Sequence, residues 1–180
     1  MEKELDKELD NFLLNVDKMK HVEVYDLVNL IRSYNHHINE LYYYYKLAKK
    51  DTDKKNFILK YPYFIKEHTL IYVNLGRGFP KELMDGHWCY VIKNFGNFKA
   101  LVIPTSSIKK SEDEIIKCKT NYVIESYCYK NNMNFKSKLN FLELRIVDLQ
   151  RVYFKKGYRF VKTPREEIVK RLYEIIGQNI

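Results

Sequence analysis

Apolar residues recur along this chain with two different periods, and the change between them divides it. From Leu5 they fall at three- and four-residue steps through Leu9, Phe12, Leu13 and Val16, the spacing that gathers side chains on one face of an α-helix. The same period resumes at Tyr25 and runs through Val28, Ile31, Tyr34, Ile38, Leu41 and Tyr45. It predicts a second helix with Asp26 in the first turn, where a carboxylate complements the helix dipole. "KKDTDKK" (Lys49 to Lys55) is a polar break. A short helical piece is expected around Asn56 to Lys60 and ends at "YPYF", because Pro62 disfavours helical geometry in the residue before it.

Past residue 62 the apolar positions alternate. "HTLIYVNLG" reads as a strand, and "WCYVIKNF" and "FKALVIPTS" read as a hairpin turning at Gly96-Asn97. "TNYVIESYCY" and "LNFLELRIVDL" are further strands, and "QRVYFKKGYRFV" holds a short extended piece. "TPREEIVKRLYEII" carries helix start signals: Thr163 as N-cap, Pro164 at the first helical position, and Glu166 and Glu167 in the first turn. The expected architecture is α+β. Residues 1–62 form a helical N-terminal extension, and residues 63–180 form a small β-barrel with a C-terminal helix.

Composition narrows the class. At 180 residues, 46% of them hydrophobic, with six Gly and four Pro, the chain can order one sizeable core plus an appendage. No apolar run reaches the length of a membrane span, and the acidic start "MEKELDKELD" is unlike a signal peptide. A cytoplasmic protein without a membrane partner is expected. Cys89, Cys118 and Cys128 match no zinc or redox spacing, which points to reduced thiols and to no metal or other cofactor.

Charge is unevenly placed. Residues 1–63 carry eleven basic and eleven acidic side chains, so the entire net charge of +9 lies in residues 64–180. A cationic half beside a neutral one points to an acidic partner, nucleic acid first; a solvated lysine-rich surface is the plainer reading.

Candidate chemistry gathers around the hairpin. Its entry loop carries Glu82, Asp85 and His87, and its exit carries Thr105, Ser106 and Ser107. With this stretch in view, "LIYVNLGRGFPKELMDGHWCYVI…ALVIPTSSIKK" resembles the opening of the PemK/MazF-like toxin family. There a Glu precedes the basic residue of the second strand by five positions, as Glu82 precedes His87, and Thr105 stands at the hydroxyl position. Downstream, "LRIVDLQRV" is similar to the family's "IRTIDKQRL", with Arg145, Asp148, Gln150 and Arg151 in register. The resemblance covers roughly residues 66–178. The chain departs from the pattern where His87-Trp88 replaces the commoner Arg-Pro and where Glu67-His68 replaces Gly-Asp.

The resemblance implies an SH3-like barrel acting as a metal-independent endoribonuclease, usually dimeric and held by a cognate antitoxin. Such cleavage uses the ribose 2′-OH as nucleophile and leaves a 2′,3′-cyclic phosphate and a 5′-OH. It requires a base, donors for the phosphorane oxygens and an acid for the leaving oxygen. On this reading His87 exchanges a proton or holds the phosphate, as imidazole can near neutrality. Thr105 and Ser106 donate to non-bridging oxygens, and Glu82 accepts the 2′-OH proton or orients His87. Arg77, Lys81, Lys109 and Lys110 line the track of a single-stranded RNA, with Ser107 beside them and Trp88 offered for stacking.

Plainer roles stand beside these. His87 is then a packed histidine, Thr105 ends a strand, Asp85 solubilises a loop, and Arg145 with Asp148 forms a structural ion pair or a dimer contact. Tyr90 and Phe95 could join Trp88 in stacking, although alternation sends some of the three into the core. His21, His36 and His37 read as structural. The competing function is a non-catalytic barrel that binds nucleic acid or a protein. Residues 1–17, with six acidic and two basic side chains, could cover the cationic barrel or serve as an interaction arm.

Overall fold

A computed structural model describes residues 2–21, 23–50, 65–76, 82–96, 99–108 and 120–177, with backbone alone at 20 and 39–50. The expected helices are α1 (Glu2–Lys18) and α2 (Val24–Lys50), with Asp26 in the first turn of α2. The short helix expected near residues 56–60 and the boundary at residue 62 lie outside the described residues.

Seven strands follow: β1 (Thr69–Asn74), β2 (Gly86–Asn94), β3 (Lys99–Ser107), β4 (Asn121–Cys128), β5 (Met133–Asn140), β6 (Arg145–Asp148) and β7 (Tyr158–Val161). Helix α3 (Arg165–Ile176) ends the described chain. The ladder order β2-β1-β7-β4-β5-β3 is closed by antiparallel β2–β3 pairing into a six-stranded barrel, and β6 is added along β3. Closure removes the edges that an open sheet would leave unpaired.

Register places one side chain from each barrel strand inside: Leu70, Tyr90, Ile103, Ile124, Leu139 and Val161. Ile168 of α3 and Phe141 join this core, so α3 seals the end where β4 begins and β5 finishes. A second core lies on the opposite face of β1–β2–β3. There Ile71, Val73, Cys89, Val91, Ala100 and Val102 are covered by Val147 of β6 and by Leu149 and Val152 after it.

Three details differ from the pattern read in the sequence. "LNFLELRIVDL" is not one strand. Its first residues end β5, a 3₁₀ turn occupies Phe141–Glu143, and β6 starts at Arg145. Helix α3 takes Pro164, not Thr163, as its N-cap; the Thr163 hydroxyl instead accepts a hydrogen bond from Glu125 N at 2.9 Å, which ties the helix entry to β4. Arg145 and Asp148 do not pair, because residues three apart on a strand face opposite sides. Arg145 pairs with Glu143, and Asp148 caps the next turn through Gln150 N.

The helical region meets the barrel at the end of β1. Asn74, 1% exposed, accepts from the Ser33 hydroxyl at 3.0 Å and donates to Ser33 O at 3.3 Å and to His36 Nδ1 at 3.2 Å. Arg151 donates to His37 Nε2 at 3.2 Å, and the His36 ring stacks on Tyr153 at 3.8 Å. Burial, helped by the nearby Arg151 charge, holds His37 below its ordinary pKa. The histidines of α2 are therefore docking residues. Helix α1 buries no side chain.

Candidate active site

The end of the barrel away from α3 is built from the start of β2, the end of β3, the start of β5, the end of β4 and the start of β7. Both chemically interesting ends of the hairpin therefore reach one rim. The loop entering β2 is fixed by Leu75 N to Asp85 O at 2.7 Å and Asp85 N to Gly76 O at 2.8 Å. Asp85 sits at φ 61°, a conformation that short polar side chains tolerate best among non-glycine residues. Gly86 follows with no room for a side chain, since a Cβ there would lie 2.5 Å from the Tyr72 hydroxyl.

His87 and Thr105 are brought together, through the backbone of Thr105. His87 Nδ1 lies 3.1 Å from the Thr105 carbonyl oxygen. A carbonyl can only accept, so Nδ1 carries the hydrogen and the neutral ring keeps its lone pair on Nε2. The Thr105 hydroxyl, on a residue 4% exposed, donates to the Trp88 carbonyl at 2.9 Å. One threonine thus ties together the first two residues that follow Gly86, and its proton is committed to that tie. The adjacent Ser106 is half-buried, its oxygen accepting from Asn140 Nδ2 at 3.3 Å and its proton left to give. Ser107 is exposed at the strand end.

Glu82 is exposed on the loop before β2, and Leu83 N next to it is held by Glu143 Oε1 at 3.4 Å. The partner of His87 Nδ1 is the Thr105 carbonyl rather than the Glu82 carboxylate. Arg77, Lys81, Lys109 and Lys110 lie outside the described residues. Of the aromatic candidates, Tyr90 is a core residue with 1% exposure, its hydroxyl 2.9 Å from His68 Nδ1, while Phe95 is exposed at the hairpin turn.

Trp88 is half-buried and points into the barrel mouth. It meets Tyr72 in a T-shaped contact with ring centroids 5.5 Å apart, and one face is taken by the Arg159 guanidinium at 3.9 Å. The other side of that guanidinium is covered by Phe135 of β5 at 3.7 Å. Arg159 is not among the site residues expected from the sequence, where "QRVYFKKGYRFV" reads as holding a short extended piece. The available signal was parity: Arg159 stands two residues before Val161, and on a strand both face the same side. Burial lowers the Arg159 pKa from its ordinary value. Among the described residues, no group of three or more His, Cys, Asp or Glu side chains is placed to hold a metal ion.

No protein-family model matches this sequence, and no curated protein matches it.

Proposed function

We propose that the chain is a metal-independent endoribonuclease of the PemK/MazF-like toxin kind, built on an SH3-like barrel and cleaving single-stranded RNA by attack of the 2′-OH. The observation that carries the reading is His87 at the barrel rim, with Nδ1 held by the Thr105 carbonyl so that Nε2 is the atom that exchanges a proton. The Thr105 contact fixes the ring in either charge state, because a carbonyl accepts from neutral imidazole and from imidazolium alike. Ser106 supplies a donor for a non-bridging oxygen. Thr105 acts as a positioning residue, holding His87 through its carbonyl and Trp88 through its hydroxyl. In-line displacement places base and acid on opposite sides of phosphorus. Glu82, a carboxylate of the same loop, is the candidate for the step that His87 does not perform. The +9 charge confined to residues 64–180 favours the polyanion. A homodimer in the cytoplasm, restrained by a cognate antitoxin, completes the proposal.

The competing reading, a barrel that binds RNA or a protein without cleaving, is favoured by one fact: the Thr105 hydroxyl is spent inside the structure. Parallel binding and cleavage assays separate the two. The proposal expects His87→Ala to retain RNA binding and lose cleavage. Binding with no cleavage by the unaltered chain on any RNA would favour the module.

A further inference from the structure

The inward side chains near α3 are aliphatic or aromatic, as a barrel interior usually is. Toward the end away from α3 they change character: Ser126 and Ser137 are buried there, and Arg159 projects between rings contributed by β2 and β5. An arginine inside a barrel is ordinarily neutralised by a carboxylate, because an unpaired charge is costly to bury. Among the described residues, none pairs with Arg159. Its Nε is sealed from solvent without a hydrogen-bond partner, and the Ser126 hydroxyl, on a residue with 0% exposure, has none either. Two aromatic faces fix the guanidinium plane while leaving its N–H groups, which lie in that plane, unspent.

We propose that the barrel end away from α3 is a phosphate-binding subsite with Arg159 as its cation and Ser126 as an inner hydroxyl. A clamped planar fork is suited to two oxygens of one phosphate group. The site and His87 share one end of the barrel, on opposite faces of β2: Trp88, which stacks on Arg159, follows His87 in sequence and is tied to Thr105. Resting on the ribonuclease reading, the inference assigns this subsite to a backbone phosphate flanking the scissile one. It gives the rim a fixed cation in a chain that carries histidine at the start of β2.

The structure supplies its own reporter. Trp88 is the only tryptophan in the sequence, and it lies against the proposed cation. The full-length protein is titrated, at constant ionic strength, with sodium phosphate, a nucleoside 5′-monophosphate and a non-cleavable 2′-O-methyl oligoribonucleotide, following tryptophan fluorescence. The expected result is a saturable change with each ligand that survives His87→Ala and weakens by about tenfold or more in Arg159→Gln. If Arg159→Gln does not fold, Ser126→Ala decides, with an expected loss of roughly threefold in phosphate affinity. A non-saturating response, or affinity unchanged in the deciding variant, overturns the subsite. An oligoribonucleotide that binds no tighter than the monophosphate, with no RNA cleaved, keeps the subsite for a free small phosphate and removes the ribonuclease reading. Cleavage that depends on His87 but is untouched by Arg159→Gln overturns the subsite and leaves that reading standing.

Discussion

Replacing Thr105 by valine exchanges one hydroxyl for a methyl group of nearly the same shape. The residue is 4% exposed, and its hydroxyl makes one hydrogen bond of 2.9 Å, to the Trp88 carbonyl. Losing such a bond costs about 1 kcal/mol net, rising to roughly 2 kcal/mol if the carbonyl finds no replacement donor. Valine suits a strand as well as threonine does, so no conformational term is added. For a chain of this size each kcal/mol lowers Tm by about 2–4 °C. The Thr105 carbonyl, and with it the hold on His87 Nδ1, is unchanged. Thr105→Val should therefore melt a few degrees lower, followed by far-UV circular dichroism. Its single-turnover RNA cleavage should stay within about threefold of the parent, since no donor to the reacting phosphate is removed. A hydroxyl acting directly on the phosphorane would show the reverse, a loss of roughly 10²–10³ in rate with an unchanged melt. That result would refute Thr105 as a positioning residue.

Acidification should destabilise the fold in a defined direction. Burial holds His68, and likewise His37, below the ordinary value of 6.5, so the unfolded chain takes up those protons first. Stability is full above about pH 6.5 and falls as pH drops from there through the lowered folded values; a Tm that rises between pH 7 and 5.5 would contradict this. Glu67, held below 4.5 chiefly by hydrogen bonds to Lys93 and Asn94, adds a second loss at lower pH. Asn74→Ala, which breaks the buried bonds to Ser33 and His36, should cost about 2 kcal/mol and speed amide exchange in α2; unchanged exchange would sever the claimed docking. Cys89, fully buried and with its thiol pushed well above its ordinary pKa, should resist alkylation until the chain unfolds, as quantified by mass spectrometry of labelled peptides.

How much of this was legible in the sequence depended on where each residue faces. The hairpin, β1 and all three helices follow apolar periods that the structure keeps. Only the last two residues of strand β5 fall in an expected strand, because its inward positions are Phe135, Ser137 and Leu139, so a hydroxyl interrupts the alternation at the polar end of the barrel. Arg159 was hidden for the same reason, a charged residue on an inward position that composition assigns to the surface. His87 and Thr105 were readable as a pair at one rim, but not that the contact runs through the Thr105 carbonyl. Residue type describes side chains, whereas the tie is made by the backbone. The Thr163 cap failed because a distant donor, Glu125 N, claimed the hydroxyl, a tertiary contact that local helix signals do not encode.

The central claim is that His87 makes this barrel a metal-free ribonuclease. The direct measurement is incubation of a long single-stranded RNA in EDTA with the purified chain and with His87→Ala, followed by end-group analysis. The account predicts fragments with 2′,3′-cyclic phosphate and 5′-OH ends from the parent, and intact RNA from the variant. Intact RNA in both, or equal cleavage by both, would contradict it.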